Sequence, residues 1–142
     1  HEPPRRSAVL VSFPTEDEHA IAVLAALNAV LPTGRKAYDS DTLRALATLP
    51  TDYVEVTVSR RFGGEERGGG YIGTELYRIT TRVVGKTISN ARVLRDKVRT
   101  ALAFNTVTVG ALTTTPVAFE TEDPIGDDEG LWSGLTLWTY VV

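Results

Sequence analysis

Val84-Gly85-Lys86-Thr87 holds the residue types that close a phosphate-binding loop: a glycine, a lysine and a hydroxyl at the start of a helical segment. That chemistry needs a further glycine five residues ahead of Gly85, so that backbone amides can wrap the phosphates. The position holds Thr80, inside an alternating strand pattern, and Val83 and Val84 are poor loop residues. The quartet therefore reads as a strand-to-helix turn with Lys86 solvated and Thr87 capping. Asp123, Asp127, Asp128 and Glu129 offer the oxygen ligands that a hard cation wants, but the alternating D-x-D-x-D-G pattern is missing. They read as a solvated acidic loop or as a patch facing the arginines of a neighbour. Ser133 lies in GLWSG, not G-x-S-x-G, and His19 sits among acids in the first turn of a helix, where it reads as a surface residue. Cysteine is absent, which excludes disulfides, thiolate nucleophiles and the usual structural zinc sites. No catalytic, cofactor or metal site is expected.

The elements that must position these residues are dominated by one ribbon. Val54, Val56 and Val58 alternate with Glu55, Thr57 and Ser59, and Tyr77, Ile79, Thr81 and Val83 alternate with Arg78, Thr80, Arg82 and Val84, the period of half-buried strands. The two strands join through a glycine-rich tip, residues 63–70, expected to be flexible and soluble. So long a hairpin is expected to stand out from the core as an arm. Upstream, Thr15 with Glu18 is a capping box for a helix whose apolar face is Ala20, Val23, Leu24, Leu27, Val30 and Leu31, ended by Pro32 and Gly34. Residues 35–39 read as a short strand, and Asp41 as the cap of a brief helical turn stopped by Pro50. Downstream, Thr87 or Ser89 caps a helix over residues 90–103 with Ala91, Leu94, Val98 and Leu102 on one face. Residues 107–109 and 113–120 have strand composition, with Pro116 marking a break or an edge. The closing LWSGLTLWTYVV is apolar on both faces, so one face is expected under a helix and the other under something else. Together these give an α+β fold: a mostly antiparallel sheet of about four to five strands with a long β-hairpin arm, packed by two main helices.

A length of 142 residues, 42% apolar and 23% charged, fits one domain over residues 1–142. No apolar run approaches the ~20 residues of a membrane span. Arg5 and Arg6 precede an apolar stretch, residues 8–13, that is short for a signal-peptide core, so a cytoplasmic origin is expected. The net charge of −3 hides a segregation: residues 60–99 sum to +6 and residues 100–142 to −6. A basic middle and an acidic end suggest either pairing inside the chain or head-to-tail complementarity between copies. The basic set lacks a nucleic-acid module and interleaved aromatics beyond Phe62, Tyr71 and Tyr77, so specific nucleic-acid recognition is not expected. Trp132, Trp138 and Tyr140 suit a sheet face, a core or a subunit contact.

The strings YVEVTVSRRFGG, YRITTRVVGKTISNARVLRDKVRTAL, TPVAFETEDPIGDDEG and LWSGLTLWTYVV, in that order, resemble the tail terminator (tail completion) proteins of long-tailed bacteriophages, of the actinobacterial siphophage type. The resemblance covers residues 53–142, about two thirds of the chain. It implies a non-enzymatic protein made in the host bacterial cytoplasm and placed in the virion neck, at the head-proximal end of the tail. There a ring, commonly a hexamer, halts tube polymerisation and joins the tail to the head connector. Its partners would be other copies of itself, the tail tube protein and head connector or adaptor proteins, with phage DNA passing through and no membrane involved. Ring closure needs two different faces of each subunit. Arg60, Arg61, Arg67, Arg78 and Arg82 are the candidate basic face, and Glu122, Asp127, Asp128, Glu129 and Trp132 the candidate opposing one. A head-side completion or adaptor protein is the alternative within phage particles. A small nucleotide-dependent enzyme and a monomeric binding module are the competing classes outside them.

Overall fold

The computed structural model describes residues 13–62, 66–67, 70–71 and 75–142. Helix α1 spans Glu16–Asn28 and begins with the expected capping box: Thr15 Oγ1 accepts from the Glu18 amide at 3.1 Å, and the Glu18 carboxylate accepts from the Thr15 amide at 2.8 Å. The Asn28 side chain then clamps the next strand, accepting from Ala37 N–H at 2.8 Å and donating to its carbonyl at 3.3 Å. That strand, β1 (Lys36–Asp39), runs into a five-residue helix α2 (Ser40–Arg44) capped by Asp39, not by Asp41 as the sequence led us to expect.

Strands β2 (Tyr53–Phe62) and β5 (Leu76–Gly85) are the two long ribbon strands, and between them β3 (Glu66–Arg67) pairs with β4 (Gly70–Tyr71) as a small separate ladder. Most of the tip, and with it the expected flexibility, lies outside the described residues. Helix α3 (Ile88–Leu102) follows, capped by Thr87, whose side chain accepts from Asn90 N–H at 3.1 Å. Then come β6 (Thr108–Val109), β7 (Leu112–Thr113), β8 (Ala118–Glu122), β9 (Gly126–Asp128) and β10 (Leu131–Val141). The chain between β7 and β8 contains Pro116, and of the break or edge expected there the structure shows the break.

The main sheet has the order β1-β2-β5-β10-β8, with β9 also on β10, which makes six strands, one more than the sequence-based range. All pairings are antiparallel except β1 with β2, and the fold is α+β. Over residues 53–62 and 76–85 the ribbon belongs to the sheet and does not stand free; of the rest of the expected arm, only the β3–β4 ladder and Glu75 lie within the described residues. β5 lies inside the sheet, with β10 paired along it from Gly85 to Leu76, because the last strand is as long as the ribbon and equally apolar.

Helices α1 and α3 cover one face, over a core that includes Val23, Leu27, Val54, Tyr77, Ile79, Leu94, Leu102, Trp138 and Tyr140. On the opposite face α2 covers a smaller cluster of Leu43, Tyr53 and Val84, flanked by Tyr38, Leu46 and Leu131. Beyond α2 that face carries cross-strand rows: Glu55–Arg82–Leu135, then Thr57–Thr80–Leu137–Thr121, then Ser59–Arg78–Thr139. Leu135 and Leu137 are half-buried in it, so the second apolar face of β10 is only partly satisfied by this chain.

Candidate subunit interface

Gly85 sits where β5 turns into α3, and a Cβ there would meet the backbone nitrogen of Ala91 at 2.6 Å. The glycine thus serves a close helix–strand approach. The Lys86 amide, which a bound phosphate would have to reach, already donates to Asp52 Oδ1 at 2.9 Å, and Asn90 Nδ2 donates to the same oxygen at 3.3 Å. Lys86 itself is exposed. The strand-to-helix turn is what the geometry shows at this motif.

The segregated charges meet across β10, a strand with no charged residue of its own. On the open face Arg78 makes two bonds to Glu120, Nε to Oε1 at 3.2 Å and Nη2 to Oε2 at 2.9 Å. Arg82 reaches Glu55 at 3.1 Å and Asp128 at 3.5 Å. On the helix face Arg95 and Arg99 reach Glu122 at 3.2 and 3.4 Å, and Thr136 Oγ1 donates to the same carboxylate at 3.3 Å. Arg95 Nη2 also donates to the Asp123 carbonyl at 2.7 Å, passing over Gly134, where a Cβ would lie 2.0 Å from that nitrogen. These bonds hold β8 and β9 to the sheet from both faces.

Of the candidate interface residues, then, Arg78, Arg82, Glu122 and Asp128 are joined within one chain. Arg82 and Asp128, expected to meet between copies, also lie 3.5 Å apart within one molecule, because β5 and β9 both flank β10. Arg60 pairs with Glu75 at 3.6 Å, and its backbone amide donates to Glu16 at 2.7 Å, which ties the outer edge of β2 to α1. Arg61, Asp127 and Glu129 are exposed, and Trp132 is half-buried, packed against the main core. The side chain of Arg67 lies outside the described residues.

His19 corrects the sequence reading most sharply. It is buried, stacked on Tyr77 with ring centroids 3.8 Å apart, and its Nδ1 is hydrogen-bonded to the Tyr140 hydroxyl. Tyr77 in turn donates to Glu75 at 3.2 Å. A histidine at the fourth position of an amphipathic helix points inward with Ala20, Val23 and Leu27, and that periodicity was the available signal. Burial lowers the His19 pKa against the opposing pull of Glu75, Glu18 and Glu16. Burial, with Glu75 next, pushes the Tyr77 hydroxyl up to about 12.

Sequence reasoning also missed two exposed aromatics. Phe104 is 83% exposed and Phe119 51% exposed, the latter edge-on to Trp138. With Arg99 and Ala103 they line a groove of about 260 Å³ at the β8 side of the sheet. Phe104 has φ of +62°, a conformation that glycine or asparagine usually fills after a helix.

No protein-family model matches this chain, and no curated protein matches it. Fifteen solved chains do. One is a chain of a virion of a native gene transfer agent particle, 14% identical, covering 86% of this chain and 92% of its own length at a TM-score of 0.63. Another, 12% identical, covers 90% of this chain and 95% of its own at a TM-score of 0.66 and carries no functional description. The six-stranded sheet with α1 and α3 on one face is thus a fold that this chain shares, nearly end to end, with a component of a gene transfer agent virion.

Proposed function

We propose that this chain is a structural virion protein that forms a ring on the head-proximal end of a phage-type tail tube. The ring stops tube polymerisation and joins the tail to the head connector. The observation that supports this most is the near-complete coverage of both chains in the likeness to the gene transfer agent virion component. The order of ribbon, helix, acidic loop and aromatic strand, which resembles tail terminators, now maps onto one sheet and its helical layer.

The reading makes the protein non-enzymatic and its work mechanical. A cap must be stiff, and the charge ladder across β10 stiffens the sheet on both faces. It must also offer two unlike surfaces, since a ring closes only by heterologous contacts. Adding the purified chain to tail tube subunits from the same particle should stop tube growth and leave short tubes of narrow length distribution. Tubes that grow equally long with and without it would refute the terminator role.

A further inference from the structure

We propose that the groove of Phe104, Phe119 and Arg99 is the docking site for a second copy of this chain, which inserts Ile21 from its helix α1. The proposal rests on the ring reading and names the two faces that such a ring needs.

The groove is built, not incidental. Phe104 is held in a left-handed conformation that disfavours a side chain, by its own amide donating to the Val117 carbonyl at 2.9 Å and by Asn105, whose carbonyl accepts from Val117 N–H at 2.8 Å. The Asn105 side chain fixes the same turn, donating to the Thr100 and Ala101 carbonyls at 2.9 and 3.0 Å. Backbone strain of this kind persists where the surroundings over-determine it, and here its result is an aromatic ring turned to solvent. Phe119 lies opposite on β8, the last strand of the sheet on that side, with the outer edge of β8 unpaired among the described residues. Exposed aromatics beside an arginine are the composition of interface anchors.

The matching surface is on the other flank. Helix α1 packs over β1 and β2, at the opposite side of the sheet from β8. Its solvent face carries Asp17, Ile21 and Ala25 at four-residue spacing, all exposed, with Ile21 59% exposed. Apolar Ile21 fits the aromatic groove, and Asp17 one turn away is opposite in sign to Arg99, whose side chain stays 56% exposed beside its contact with Glu122. Two unlike, complementary faces on opposite flanks make a head-to-tail contact, which propagates until a ring closes.

Cysteine is absent, so paired cysteines report the contact without background. Mild oxidation of the Ile21→Cys/Phe119→Cys double variant should give a ladder of covalent oligomers, while either single variant stays monomeric. Phe104→Asn removes the ring yet suits the left-handed backbone, so it should melt no lower than the wild type and associate at least ~10-fold more weakly. Mixing Phe104→Asn with Ile21→Lys should give a one-to-one dimer that grows no further. A dominant dimer from Phe119→Cys alone would mean a symmetric contact and overturn the proposal. So would the absence of a ladder, whether the wild type is oligomeric or monomeric in sedimentation. If the wild type is oligomeric without a ladder, only this surface fails and the ring reading stands. A ladder from a chain that stops no tube growth leaves this contact intact and sinks the terminator reading.

Discussion

His19 shows how one side chain ties the pH response of this protein to its packing. Its folded pKa lies below the ordinary 6.5, so above that pH folded and unfolded chains carry it alike, and below it the unfolded chain takes up a proton that the folded one refuses. Stability should therefore be flat just above pH 6.5 and decline as the pH falls below it. Urea midpoints across that range test this, and His19→Phe, which keeps the stack on Tyr77 but cannot titrate, should flatten that part of the decline. Tyr77 acts at the other end: the unfolded hydroxyl ionises near 10.0 and the folded one near 12, so stability is lost as pH rises through that interval. Tyr77→Phe should lessen the alkaline loss. Gly85 tests packing alone. A methyl group there meets the Ala91 backbone at 2.6 Å, so Gly85→Ala should cost about 1–3 kcal/mol in chemical denaturation, by forcing α3 off the sheet.

At the scale of elements, β10 decides the architecture. It separates the basic β5 from the acidic β8 and β9, and the arginines bridge it on both faces. A double-mutant cycle of Arg78→Ala with Glu120→Ala should give a coupling of about 0.5–1 kcal/mol, above most exposed pairs because the geometry is two-pronged. A coupling near zero would mean that the pair does not help hold β8. Much of this was legible beforehand. Alternation located β2 and β5, the capping box located α1, and Pro116 located the break before β8. Periodicity is local, however, and carries no information on which strand lies beside which. That is why alternation alone suggests a free arm while β10 runs along β5, and why charge segregation alone leaves open whether Arg82 and Asp128 meet within a chain or between copies. The charge segregation did foretell a pairing, but only the strand order showed it to be internal. Phe104 left no mark, since its exposure depends on a backbone conformation set by contacts from Val117 and Asn105.

For the whole molecule, two flanks of different character are the consequence of that strand order. One ends at β8 with an aromatic groove beside Arg99, and the other presents α1 with its acids and Ile21. In the proposed ring, the α-helical layer and the bridged sheet between them would set the spacing of the two faces. In the proposed ring, the open sheet face, with Leu135 and Leu137 half-buried among Thr57, Thr80 and Thr121, would remain for other components. Electron microscopy of purified tail tubes incubated with this chain tests the terminator account most directly. A ring of extra density should appear at one end of every capped tube and none along the shaft; bare ends, or density spread along the tube wall, would refute the terminator role.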